Sequence, residues 1–101
     1  MAAYLLAQVK VNDLDGFREY TSLFGPTLAP YGGKVLAVDD AAVSVEGTWP
    51  AGRVVIIEFD TTETAHNWYQ SDAYQRISSI RRAHSGASMV IVAGALTRSA
   101  G

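Results

Sequence analysis

The chain has 101 residues, 49% hydrophobic and only 18% charged, with a net charge of −2 and no cysteine. Those figures exclude a disulfide framework, a thiol nucleophile and a thiolate metal site, and basic residues scattered everywhere but Arg81-Arg82 leave no coherent patch for nucleic acid. A domain this small buries about two-thirds of the surface its unfolded chain exposes, and an average soluble chain is about 25% charged, so this composition predicts a face hidden against a second copy of the chain.

The length fits one domain, residues 1–101, with a core over 4–94 and a frayed tail over 95–101. The start MAAYLLAQVKV lacks a basic n-region and passes straight into alternation, unlike a signal peptide. No apolar run approaches the ~20 residues needed to span a bilayer. A cytosolic protein with no membrane partner is expected.

Residues 4–11 alternate, with Leu5, Ala7, Val9 and Val11 on one face and Tyr4, Leu6, Gln8 and Lys10 on the other, which predicts a strand. Asn12 or Asp13 then caps a helix, and Asp15 suits the positive end of its dipole. Phe17, Tyr20, Phe24, Leu28 and Tyr31 form a 3.6-period stripe, with a kink expected at Gly25-Pro26 and a left-handed cap at Gly32. KVLAVDD reads as a second strand and AVSVEG as its short continuation, with TWPAG as turn material. RVVIIEFD is the strongest strand signal of all. Thr61 or Thr62 caps a helix over about 63–70, and Ser71 caps another with Tyr74, Ile77 and Ile80 or Arg81 on one face. ASMVIVAG is the fourth strand.

The order β-α-β-β-α-β is that of an α+β, ferredoxin-like fold with a four-stranded antiparallel sheet. Two helices cover one face of such a sheet, and the other face normally alternates polar with apolar. Here VVII and MVIV leave neither face polar. Back-to-back packing of two sheets in a homodimer is the expected remedy.

The stretches YLLAQVKVNDLDGFREY, YGGK, VEGTWPAGRVVIIEF and AHNWYQSDAYQRI together resemble domain of unknown function 1330, a small family of the dimeric α/β-barrel superfamily. The resemblance covers about residues 4–94 and implies two sheets sharing one barrel with helices outside. It brings no reaction, because the family is uncharacterised. Better-studied superfamily members include quinone-forming monooxygenases, a lactone isomerase and haem-degrading enzymes, several with a pocket between sheet and helices. The haem-degrading relatives use an Asn on the first strand, a Trp, and a His some ten residues after it. Asn12 and Trp68 match loosely, but position 78 is Ser78 and His84 lies sixteen residues on, so the resemblance does not extend to haem. No cofactor is expected. With no compact His or carboxylate cluster, no metal site is expected either.

Candidate site residues follow, each with two readings. Trp68, Tyr69 and Tyr74 either pack and cap, with Ser71-Asp72 as the cap, or form a ligand-pocket wall. Tyr20 and Tyr31 join that wall from the first helix. Glu58 shares parity with Val54 and Ile56 in the most buried-looking strand, so it is either a poised general base facing a closed interior or one half of a structural ion pair. Glu46 carries the same two readings. Arg53 falls on the opposite face from Glu58 and would orient a ligand. His66 reads as solvated, and His84 as a favourable helix-end cation. Two functions remain open. One is a cofactor-independent monooxygenase or isomerase acting on a small hydrophobic or cyclic molecule, with Glu58, Glu46 and Arg53 catalytic. The other is a non-catalytic binding or stress-related homodimer.

Overall fold

A computed structural model describes residues 2–95. The chain runs β1 (Ala3–Val11), α1 (Leu14–Leu28), a 3-10 turn (Ala29–Tyr31), β2 (Lys34–Asp39), β3 (Arg53–Phe59), α2 (Thr62–Gln70), α3 (Asp72–His84) and β4 (Ser85–Ala93). All neighbouring strands pair antiparallel in the order β2-β3-β1-β4, leaving β2 and β4 as open edges. The single chain therefore holds an open sheet, and a closed barrel needs a second copy. Among the described residues no helix is long and apolar enough to cross a membrane.

Three caps set the helix starts. Asp13 accepts from the Gly16 N–H at 3.3 Å, Thr61 from Thr64 at 3.0 Å and Ser71 from Tyr74 at 3.2 Å, each satisfying a donor with no partner inside its helix. At Gly25-Pro26, where a kink is expected, α1 takes Pro26 in without ending. It then tightens into the 3-10 turn and stops at Gly32, which takes φ 66°.

Parity on β1 is as the alternation predicts. Ala3, Leu5, Ala7 and Val9 are buried under the helices, together with Ile57 and Phe59 of β3. The core centres on Trp68 and Tyr74, whose ring centroids lie 4.2 Å apart. The other sheet face carries no helix. Leu6 stands opposite Ile56 and Val90 there, and Tyr4 opposite Glu58 and Val92. Val90 and Val92 are 56% and 42% exposed, a large apolar commitment for an uncovered face.

One expected element is absent. The strand continuation at AVSVEG is an exposed loop across residues 40–52, with Val43 86% and Val45 94% exposed. The last pair of the β2–β3 ladder is Asp39 with Val54, and β3 begins at Arg53, so nothing remains for residues 43–46 to bond with. The ladder also slips at Leu36, so that Val35 and Val38, three residues apart, stand opposite Ile57 and Val55 of the helix-covered face. The tail expected over 95–101 lies, from residue 96 onward, outside the described residues.

Candidate functional site

Helix α1 packs on α3 rather than flat on the sheet, and the gap beneath it is a cavity of about 270 Å³. Its floor is Leu5, Ala7 and Val9 of β1 with Val55 and Ile57 of β3. The small side chain of Ala7 leaves room at the centre. Phe17, Tyr20 and Phe24 form the wall on α1, and the Trp68 indole closes the back. Exposed Thr21, Val35 and Val38 mark the mouth, between α1 and the edge strand β2.

The polar groups are few and held in place. The Trp68 indole N–H donates to Thr27 Oγ1 at 3.0 Å, so that donor is spent within the protein. Tyr20 Oη lies 3.0 Å from Tyr74 Oη, and Arg81 Nε donates to the same Tyr74 oxygen at 3.2 Å. Burial, and then the neighbouring Tyr74, push the Tyr20 phenol far above its usual range, while Arg81 pulls the other way. Tyr20 is thus a neutral phenol at physiological pH.

Its ionisation has a measurable consequence. A phenol that binds its proton more tightly when folded stabilises the protein fully below its unfolded value of 10.0 and loses that contribution as pH rises beyond it. Thermal unfolding of the wild type is expected to shift to lower temperature above about pH 10, and Tyr20→Phe to flatten that dependence. Identical alkaline slopes in the two proteins would contradict the burial of this hydroxyl.

Arg53 sits at the mouth. Its Nε and Nη2 reach the two Asp40 carboxylate oxygens at 2.7 and 3.2 Å, and its guanidinium carbon lies 5.7 Å from the Phe17 ring centroid. The Arg53 hydrogen bonds hold the Asp40 carboxyl below the usual carboxylate range, and the same bonds push the guanidinium up. The result is a cation with a fixed direction beside an apolar hole.

Of the residues singled out in the sequence, this cavity gathers Tyr20, Trp68 and Arg53. Tyr74 stands behind Tyr20, wholly buried. Tyr69 faces a different space, between α2 and β4, and Tyr31 packs half-buried against the core. Glu58 stands opposite Tyr4 and Lys34, on the helix-free face rather than in the interior. Strict alternation with Ile57 explains this, because the residue on either side of a cavity-lining position points away from the cavity. Glu46 lies in the exposed loop. No carboxylate or imidazole lines the cavity among the described residues. His66 is exposed, and half-buried His84 contacts Asp13 at 3.3 Å. Thr27 and Asp40 were not foreseen, because each matters only through a partner distant in sequence. Arg81 left a faint signal as a charge on the apolar Tyr74–Ile77 stripe.

The sheet order, the helices on one face and the cavity between the layers define a ferredoxin-like α+β protein. The chain belongs to the family named domain of unknown function (DUF1330), whose model matches residues 2–95. No curated protein matches it. Among solved structures it is similar to RPA0582, a protein of unknown function from Rhodopseudomonas palustris, with TM-score 0.77 and 15% identity over 94% of this chain and 83% of that one. It is also similar to SnoaB, a cofactor-independent oxygenase from Streptomyces nogalater, with TM-score 0.66 and 10% identity over 96% of both chains. A dimeric protein of unknown function with a ferredoxin-like fold from Bacteroides fragilis gives TM-score 0.63 and 11% identity over 92% of this chain and 96% of that one. At such identities the likeness is one of fold.

Proposed function

We propose that the protein is a cytosolic homodimer that binds a small hydrophobic, cyclic molecule in the cavity beneath α1. The observation that carries this reading is the cavity itself. Its walls are aliphatic and aromatic, and among its few polar groups Tyr20 and Arg53 have fixed charge states and fixed directions. Apolar walls with a few placed polar groups are the usual make-up of ligand sites, and about 270 Å³ lies just below their usual range, which suits one or two fused rings. A neutral phenol can donate to a ligand oxygen, and Arg53 can meet a partial negative charge at the mouth. The likeness to a cofactor-independent oxygenase supports extending the reading to oxidation or isomerisation of the ligand without a cofactor. One observation favours plain binding instead: a proton-transfer mechanism needs a base, and no carboxylate or imidazole lines the cavity among the described residues.

The test is a titration with 1-naphthol, followed by Trp68 fluorescence in a Trp49→Phe background, because Trp49 is 54% exposed and would dominate the signal. Saturable quenching is expected. Ala7→Leu, which fills the cavity floor, should weaken binding by at least tenfold, whereas equal binding by wild type and Ala7→Leu would sink the proposal. Oxygen uptake with the bound phenol separates enzyme from binder.

The apolar helix-free face supports the dimer, as does the dimeric state of the Bacteroides neighbour. In that arrangement Glu58 and Lys34, opposite each other in the β2–β3 register, stand on the covered face as opposite charges. Ile56→Asp, placing a charge amid that face, is expected to convert the sedimenting species at micromolar concentration from dimer to monomer. A wild-type monomer would contradict the assembly.

A further inference from the structure

A second cavity, of about 360 Å³, lies between α2, α3 and the edge strand β4, and no role assigned above uses it. Leu5, Met89 and Ile91 of the sheet give it an apolar floor, and His66, Tyr69 and Arg81 give it a polar end. We propose that this cavity is a binding site for a small carboxylate with an apolar body, and that Arg81 is the residue that holds the carboxylate. The proposal stands independently of the ligand assigned to the first cavity.

Arg81 carries the argument. Its side chain is buried, at 6% exposure, yet among the described residues no carboxylate comes within 4.0 Å of it. Its side-chain partners there are tyrosine hydroxyls: Tyr74 Oη, which accepts from Nε at 3.2 Å, and Tyr20. The nearby acceptor Gln75 Oε1 is occupied by Ser78 Oγ and Arg82 Nη2. A guanidinium has five donors in a fixed fork, so beyond these two phenols donors remain at its far end, beside the cavity that Arg81 lines. Among the described residues no fully buried side-chain nitrogen lacks a partner, so the donors Arg81 has left are those open to the cavity, where an anion would meet them in place of water. The negative end of the α3 dipole offsets part of the cost of burying the cation, but Arg82 and His84 occupy the same last turn without being buried, so the dipole does not call for a buried arginine. The fork matches a planar carboxylate in two parallel bonds, while Leu5, Met89 and Ile91 suit a hydrocarbon or ring.

Benzoate is the probe, titrated into the isotope-labelled full chain while the Arg81 Nε–Hε resonance is followed. The expected result is saturable movement of that resonance, with benzyl alcohol and inorganic phosphate each binding at least tenfold more weakly. Arg81→Gln should reduce benzoate binding tenfold or more. Should that variant not fold, Ala87→Trp fills the cavity from an exposed position on β4, leaves Arg81 and Tyr74 in place, and should also abolish binding. An unmoved Arg81 resonance, benzyl alcohol binding as tightly as benzoate, phosphate binding as tightly as benzoate, or Ala87→Trp binding like wild type would each overturn the assignment.

Discussion

Replacing Trp68 with alanine is expected to cost about 3–5 kcal/mol, the range for removing a fully buried large aromatic side chain. The total stability of a domain this size is about 5–15 kcal/mol, so the variant should stand near the edge of folding. Trp68 is 1% exposed, and its ring meets Tyr74 at 4.2 Å and both Phe24 and Phe59 at 5.7 Å between centroids. Losing it removes transfer energy and all these ring contacts, and it joins the void to the existing cavity. Trp68→Phe separates the two parts of that loss. It keeps most of the apolar area and deletes the indole donor to Thr27, whose hydroxyl still donates to the Phe24 carbonyl at 2.7 Å. A loss of about 1 kcal/mol is therefore expected for the phenylalanine variant. Urea unfolding at one fixed protein concentration measures both, since the midpoint of any self-associating protein moves with concentration. A Trp68→Ala cost below that of Trp68→Phe would show that the indole is not the keystone of this core.

The second large effect is expected at Gly52. This residue takes φ 131°, a conformation essentially restricted to glycine, and a Cβ there would clash with the Val9 carbonyl oxygen. The obstacle is backbone in the middle of the sheet, so neither partner can swing aside. Gly52→Ala should therefore cost about 1–3 kcal/mol in strain, with further loss from opening the β1–β3 ladder at its Val9–Arg53 end. For a chain of this length each kcal/mol moves the melting temperature by about 4–8 °C, so the strain alone should lower it by about 4–24 °C. Gly47→Ala is the control: its φ is 76°, but nothing stands within 4 Å of the added atom, so only the conformational part is lost. Equal losses at the two glycines would contradict a role for the close approach to Val9. Arg53 follows Gly52 directly, so the same variant should also disturb the mouth of the cavity.

Much of this architecture can be read from residue order. Alternation in YLLAQVKV puts Leu5, Ala7 and Val9 on one shared face, which the structure buries, and the 3–4 spacing of Phe17, Tyr20 and Phe24 marks the apolar side of the helix that overlooks them. Asp13, Thr61 and Ser71 announce their helices because capping is local chemistry. What residue order does not give is which layer faces which. Glu58 and Arg53 have opposite parity on β3, and both faces of that strand are apolar, so the pattern cannot say which face meets the helices. The pairing of β1 with β3 decides it, sending Val55 and Ile57 to the cavity and Glu58 away. The loop at AVSVEG was misread for a related reason. Val43 and Val45 alternate like a strand, but a strand exists only where a neighbour offers bonds, and β3 starts too late to offer any. Ala7 is the least conspicuous residue of the cavity, because a small residue on a strand announces no space until the helix above it stands off.

The most direct test of ligand binding beneath α1 is an isotope-filtered nuclear Overhauser measurement on the labelled protein saturated with 1-naphthol. Contacts from the ring protons to Ala7, Val55 and Met89 methyls and to the Trp68 indole are the expected result. Contacts confined to Val54, Ile56 and Val92 on the helix-free face would instead contradict it, and would make that face, not the cavity, the place where the ring compound binds.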